Sequence, residues 1–158
     1  MMYPLLKKYH DGLAQGYVGL RLVEAICIVF SCICVMALLT LSKEFGAGTG
    51  DTSYYLPAGS ILLALQHWSF EIGTLIFLGL GGLALNYGLY ELELVPKWLS
   101  LWGLIGGACI ALYGLLSLFG LTADSLTMNL LAVPIAVQEM VFAVYLIVKG
   151  FKPMTKKS

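Results

Sequence analysis

The run from Ser60 to Leu92 is 33 residues long and predominantly apolar, and it carries His67 and Glu71 within it. As a straight helix it would measure about 50 Å, longer than an ordinary core helix and longer than the hydrocarbon of a bilayer. Such a segment crosses a membrane with tilt, a kink or a projecting end. It also sets a chemical condition. A charged group at the bilayer centre costs at least about 2.5–3.5 kcal/mol, so His67 and Glu71 must point into a protein interior, pair, or become neutral.

The rest of the chain repeats the pattern. From Leu22 to Leu41 the only residues that are not apolar are Glu24, Ser31 and Thr40. Twenty residues at about 1.5 Å each match the hydrocarbon thickness. Two further apolar runs follow, and we expect four spans at about 13–41, 60–92, 98–119 and 126–148. The fold class is therefore all-α: a polytopic membrane protein, an up-down bundle of four transmembrane helices forming a single membrane domain over 1–158. Composition agrees, with 59% hydrophobic and 11% charged residues against about 25% charged in soluble domains.

The segments between the spans read as loops and interfaces. Gly46, Gly48 and Gly50 break the first helix, and Asp51, Thr52 and Ser53 form turns. Tyr54, Tyr55, Tyr87, Tyr90, Trp98 and Trp102 suit membrane–water interfaces. Pro134 removes one backbone hydrogen bond inside the fourth span, which predicts a kink near Leu130. Gly103-x-x-x-Gly107 is a small-residue face for close helix contact, and Gly79, Gly81 and Gly82 give the second span a close-packing or flexible point. Helix packing is thus assigned to Gly79, Gly82, Gly103 and Gly107.

Four spans place both termini on one side. Lys7, Lys8, Lys97, Lys149, Lys152, Lys156 and Lys157 fall on that side, Lys43 alone lies opposite, and Arg21 marks the boundary. The positive-inside rule puts both termini in the cytoplasm.

The ionisable residues inside the spans are the candidate functional group. Arg21 and Glu24 are three apart and share a helix face, as do His67 and Glu71 at four apart. Glu139 lies ten residues before Lys149, about 15 Å from the inner surface and close to the midplane. Counted from Ser60, Glu71 is about as deep from the other side. One polar cluster of Arg21, Glu24, His67, Glu71 and Glu139 is expected, able to share a proton or hold a cation.

Catalysis finds little support. With two histidines, one of them the peripheral His10, the three ligands of a zinc hydrolase and the two of a bis-histidine haem are missing. Cys27, Cys32, Cys34 and Cys109 lie in apolar runs, as small packing residues do. There is no nucleophile elbow, Walker lysine or dinucleotide fingerprint. We expect no enzyme activity, no metal and no cofactor. Zero net charge gives no basic surface for nucleic acid.

Four stretches in order, RLVEA from Arg21, HWSFEIGTLIFLGL from His67, LVPKWLSLWGLIGG from Leu94 and AVPIAVQEMVFAVYLIVKGF from Ala132, resemble a bacterial integral membrane family known as domain of unknown function 4386. The likeness runs from about Tyr3 to Pro153 and is most specific in its last two stretches. It implies a helical protein of the cytoplasmic membrane and no assigned reaction. It also implies further helices ahead of the part corresponding to this chain. The groove those helices fill would then be covered by a homo-oligomer or by a partner membrane protein. Glu71 stands where the family pattern implies an apolar residue, so the resemblance gives it no role. Beside the lipid bilayer, such a homo-oligomer or partner is the expected company of the chain. The first functional reading is a structural, accessory or interaction subunit. The second is a small proton- or ion-coupled transporter using an intramembrane Glu. The third is a lipid-modifying membrane enzyme.

Overall fold

In the computed structural model, which describes residues 2–7, 10–48, 52–121 and 125–151, every regular element is a helix. The short α1 (Met2–Lys7) leads into α2 (Asp11–Gly46). His10 starts α2 with extended backbone, and its ring accepts the Leu13 N–H at 3.4 Å, which satisfies a free donor of the first turn. Gly48, at φ +67°, ends it, in the left-handed conformation that glycine adopts freely.

A 3₁₀ turn (Thr52–Tyr54) opens the second rod, which is continuous over Tyr55–Glu91. It consists of α3 (Tyr55–Glu71), a π-helical segment (Ile72–Phe77) and α4 (Leu78–Glu91). The change of winding sits directly after Glu71, where Leu78 N–H reaches back five residues to Gly73 O. The glycines Gly79, Gly81 and Gly82 lie in regular, buried α-helix just beyond it.

Pro96 precedes α5 (Lys97–Leu118), and Gly120 at φ +67° closes that helix. The fourth rod, α6 (Ser125–Lys149), contains Pro134. The turn expected between α5 and α6 lies partly outside the described residues, as do Lys8, Lys152, Lys156 and Lys157 of the charge count.

Four helices are thus long and apolar enough to cross a membrane. They pack in chain order: α2 on α3 and α4, α4 and the π segment on α5, and α5 on α6. Their lengths differ. At 36 and 37 residues the first two rods measure about 55 Å each, against about 33 Å for the 22 residues of α5. The upper part of the α2–α3 hairpin therefore stands beyond the end of α5. Its tip is closed by Phe45 and Tyr55, edge to face at 5.4 Å.

Small residues set the spacing, because lipid provides no hydrophobic drive between helices and close van der Waals contact must do the work. A Cβ on Gly79 would lie 2.8 Å from Ala111 Cβ and 2.9 Å from Gly107 O, and one on Gly107 would lie 3.0 Å from Gly79 O. The α4 and α5 backbones touch at that crossing. Gly103 receives the Asn86 carboxamide, and Gly82 lies against Ile135. Four further glycines act alike: Gly73 faces Cys27, Gly88 takes Leu6, Gly106 faces Ile135 and Gly114 takes Leu75. Outward faces stay apolar, as in Leu56, Met140 and Ile147, which suits contact with acyl chains.

Candidate functional site

Charged and amide side chains from three helices meet in a cleft between α2 and α6, floored by α4. From α2, Arg21 binds both carboxylate oxygens of Glu24 through Nη1, at 2.8 and 3.2 Å. The three-residue spacing on one helix makes this fork possible. The other guanidinium arm reaches across the cleft, where Nη2 stands 3.7 Å from Glu139 Oε1 on α6. Gly81 on α4 leaves room for the Arg21 stem, since a Cβ there would be 3.5 Å from Nε. The Tyr17 ring lies 5.6 Å from the guanidinium carbon and offers its π face to the cation.

Below this group lies a neutral relay. Asn86 Nδ2 donates to Gly82 O at 2.9 Å, while Gln138 Nε2 donates to Asn86 Oδ1 at 3.2 Å and to Leu99 O at 3.4 Å. It joins α4, α5 and α6 through two nearly inaccessible side chains. Replacing Gln138 by leucine should cost about 1–3 kcal/mol, because the Asn86 carbonyl would lose its donor in a dry interior. Unfolding in mixed micelles measures this, and a second change, Asn86→Leu, should recover part of the loss.

Tyr17, Arg21, Asn86, Gln138 and Glu139 all line one cavity of about 260 Å³. At about 30 Å³ per water it holds several waters or a partly hydrated cation. With Arg21 and both carboxylates ionised, the group carries one net negative charge. In a membrane such a centre draws in a proton or a small cation.

Five residues were expected in one cluster; the structure places them in two. Arg21, Glu24 and Glu139 meet in the cleft. His67 and Glu71 pair with each other instead, Nε2 to Oε1 at 3.6 Å, and Ser117 Oγ on α5 donates to Glu71 Oε2 at 2.8 Å. The reason is register. The rod starts at Tyr55, five residues before Ser60, and Ser117 is one residue from the end of α5. Glu71 is therefore level with that end of α5, while Arg21 lies beside Gly81, ten residues further along the rod.

Sequence reasoning did not single out Tyr17, Asn86, Gln138 or Ser117. Asn86 and Gln138 were detectable as amides inside apolar runs, but their pairing depends on the α4–α6 crossing. Among the described residues no three His, Cys, Asp or Glu side chains come together as a metal site. The cysteines are free thiols.

A helical bundle with four apolar rods and a polar, charged cleft defines a multi-pass membrane protein. The chain belongs to the family described as Domain of unknown function (DUF4386), which it matches over residues 1–150. No curated protein and no solved structure matches it.

Proposed function

We propose that this chain is a small proton- or cation-coupled carrier of the bacterial inner membrane, with both termini cytoplasmic and Glu139 as its exchanging group. The reading rests on one observation: Arg21 holds Glu24 tightly and Glu139 loosely across a cavity of about 260 Å³. A carboxylate bound at 2.8 Å is a fixed counter-ion, whereas one at 3.7 Å, with its side chain 46% exposed, is free to exchange. A proton on Glu139 releases it from Arg21, and its loss restores the pair. Such a cycle couples occupancy of the cavity to the α2–α6 separation. The only bond made and broken in this cycle is the O–H of Glu139, so the cycle itself calls for no catalytic residue.

In sealed vesicles, Glu139→Gln should reduce pH-driven flux at least tenfold while the protein still inserts and keeps its melting temperature within a few degrees. Unchanged flux would sink the reading. The alternative of an accessory or interaction subunit is supported by the thin cover on α2 and on α6 from Leu130, each with 11% of its most apolar window buried, against 50% for α5. It predicts that Glu139→Gln alters oligomer size or the yield of a co-purifying membrane partner, with no flux to lose.

A further inference from the structure

We infer that His67, Glu71 and Ser117 form a second proton-binding site, on the side remote from the termini, which supplies the cleft around Glu139. The inference rests on the carrier reading for its role and on its own geometry for its existence.

The register of the helices fixes where it lies. Ser31 on α2 bonds to the Gln66 carbonyl on the second rod, and Cys27 faces Gly73. Continuing this antiparallel register puts Glu24 near Phe77. On the other flank Ile135 faces Gly82 and Gln138 bonds to Asn86, so Glu139 is level with the start of the last turns of α4. Along the rod Glu71 and Glu139 are then about 20 Å apart, and Glu24 lies between them. Arg21 already links Glu24 to Glu139. The rod itself offers Thr74 in the interval between Glu71 and the level of Glu24. Its hydroxyl is shielded from solvent and has no hydrogen-bond partner, a costly state that a passing proton carrier such as water would relieve.

The chemistry at Glu71 suits a proton that comes and goes. The side chain is 14% exposed, and His67, one turn nearer the loop, is 58% exposed and stands past the end of α5. Ser117 occupies Oε2, which leaves Oε1 facing the imidazole Nε2. Closing the 3.6 Å gap lets the imidazolium give its Nε2 proton to Oε1, and the neutral ring regains one from water. The neighbouring elements contribute few other titratable groups here. Cys27 on α2 faces the rod at Gly73, and Tyr113 on α5 lies one turn below Ser117. Gln66 and Ser31 pair with each other alongside. The π segment begins at the next residue, Ile72, and the altered winding sets the direction in which Glu71 and Thr74 project.

The test uses the whole protein in phospholipid vesicles and a hydrophobic carbodiimide, which modifies protonated carboxyl groups at apolar sites. Modification of Glu71 is read by peptide mass, with Glu139 in the same sample as the check on folding. We expect Glu71 to be modified in the wild-type protein, at the oxygen that Ser117 leaves open. We also expect His67→Phe to raise its modification at least threefold, since Oε1 then loses the ring that faces it, and Ser117→Ala to act in the same direction by freeing Oε2. Modification that ignores the two substitutions overturns the site. Flux separates the two ideas. If Glu71→Gln slows proton uptake tenfold from its own side, the second site feeds the first. If Glu71→Gln transports normally while Glu139→Gln does not, the carrier stands and the supply from the second site to the first is overturned. If the wild-type protein carries no flux, the carrier reading falls and the labelling alone decides the proton site.

Discussion

Gly79→Ala is expected to destabilise the bundle by about 3 kcal/mol, a large effect for one methyl group. The added carbon would meet Ala111 Cβ at 2.8 Å and, at 2.9 Å each, the Ala111 nitrogen and the Gly107 carbonyl oxygen. Two of these atoms are backbone and the third is fixed to it, so no rotamer change relieves the clash. The α4 and α5 axes must separate, which loosens Gly103 around Asn86 and Gly114 around Leu75 as well. Gly82→Ala is the control. It adds the same methyl three residues along the same helix, but meets only Ile135 Cδ1, at 3.4 Å. That is the far end of a flexible side chain, and alanine favours the helix by about 1 kcal/mol over glycine, so the net change should be near zero. Steric trapping or unfolding in mixed micelles distinguishes the pair. Equal effects would mean that the α4–α5 crossing is not where the structure puts it.

The contrast between these glycines explains what the sequence could and could not disclose. Four apolar rods were legible because lipid demands about twenty apolar residues for each crossing, whatever the tertiary fold. Gly103 and Gly107 were legible as a spacing on one helix. Gly79 and Gly82 look alike in the sequence, yet one meets backbone and the other a side-chain tip. That difference arises only when α4, α5 and α6 are assembled. The candidate site divides the same way. Arg21 and Glu24 were paired by a spacing of three, and His67 and Glu71 by a spacing of four. Both are local geometry. Whether the two pairs meet depends on the helix each one faces: Glu71 turns to Ser117 on α5, while Arg21 lies beside Gly81 and reaches Glu139 on α6. The π segment after Glu71 has no periodic signature, and its contacts with Cys27 and Gly114 come from two different helices.

Arg21→Gln should be the most damaging change in the polar cleft, at about 3 kcal/mol. Removing one member of a buried ion pair costs about 3–5 kcal/mol, and the lower end applies because Glu139 is nearly half exposed. The loss comes chiefly from Glu24, whose side chain is 13% exposed and whose two oxygens both depend on Nη1. Without the guanidinium it must stay charged in a dry interior or take up a proton. Two partner substitutions separate these contributions. Arg21→Gln with Glu24→Gln removes both the charge and its counter-charge, and should recover about 2 kcal/mol of the loss. Arg21→Gln with Glu139→Gln should recover well under half as much, since that carboxylate sits 3.7 Å away and can turn toward water in the cavity. The order of recovery is the physical content of the assignment: Glu24 is the anchor and Glu139 the mobile member. Were Glu139→Gln the better rescue, the roles would be reversed, and the exchanging group would have to be sought on α2.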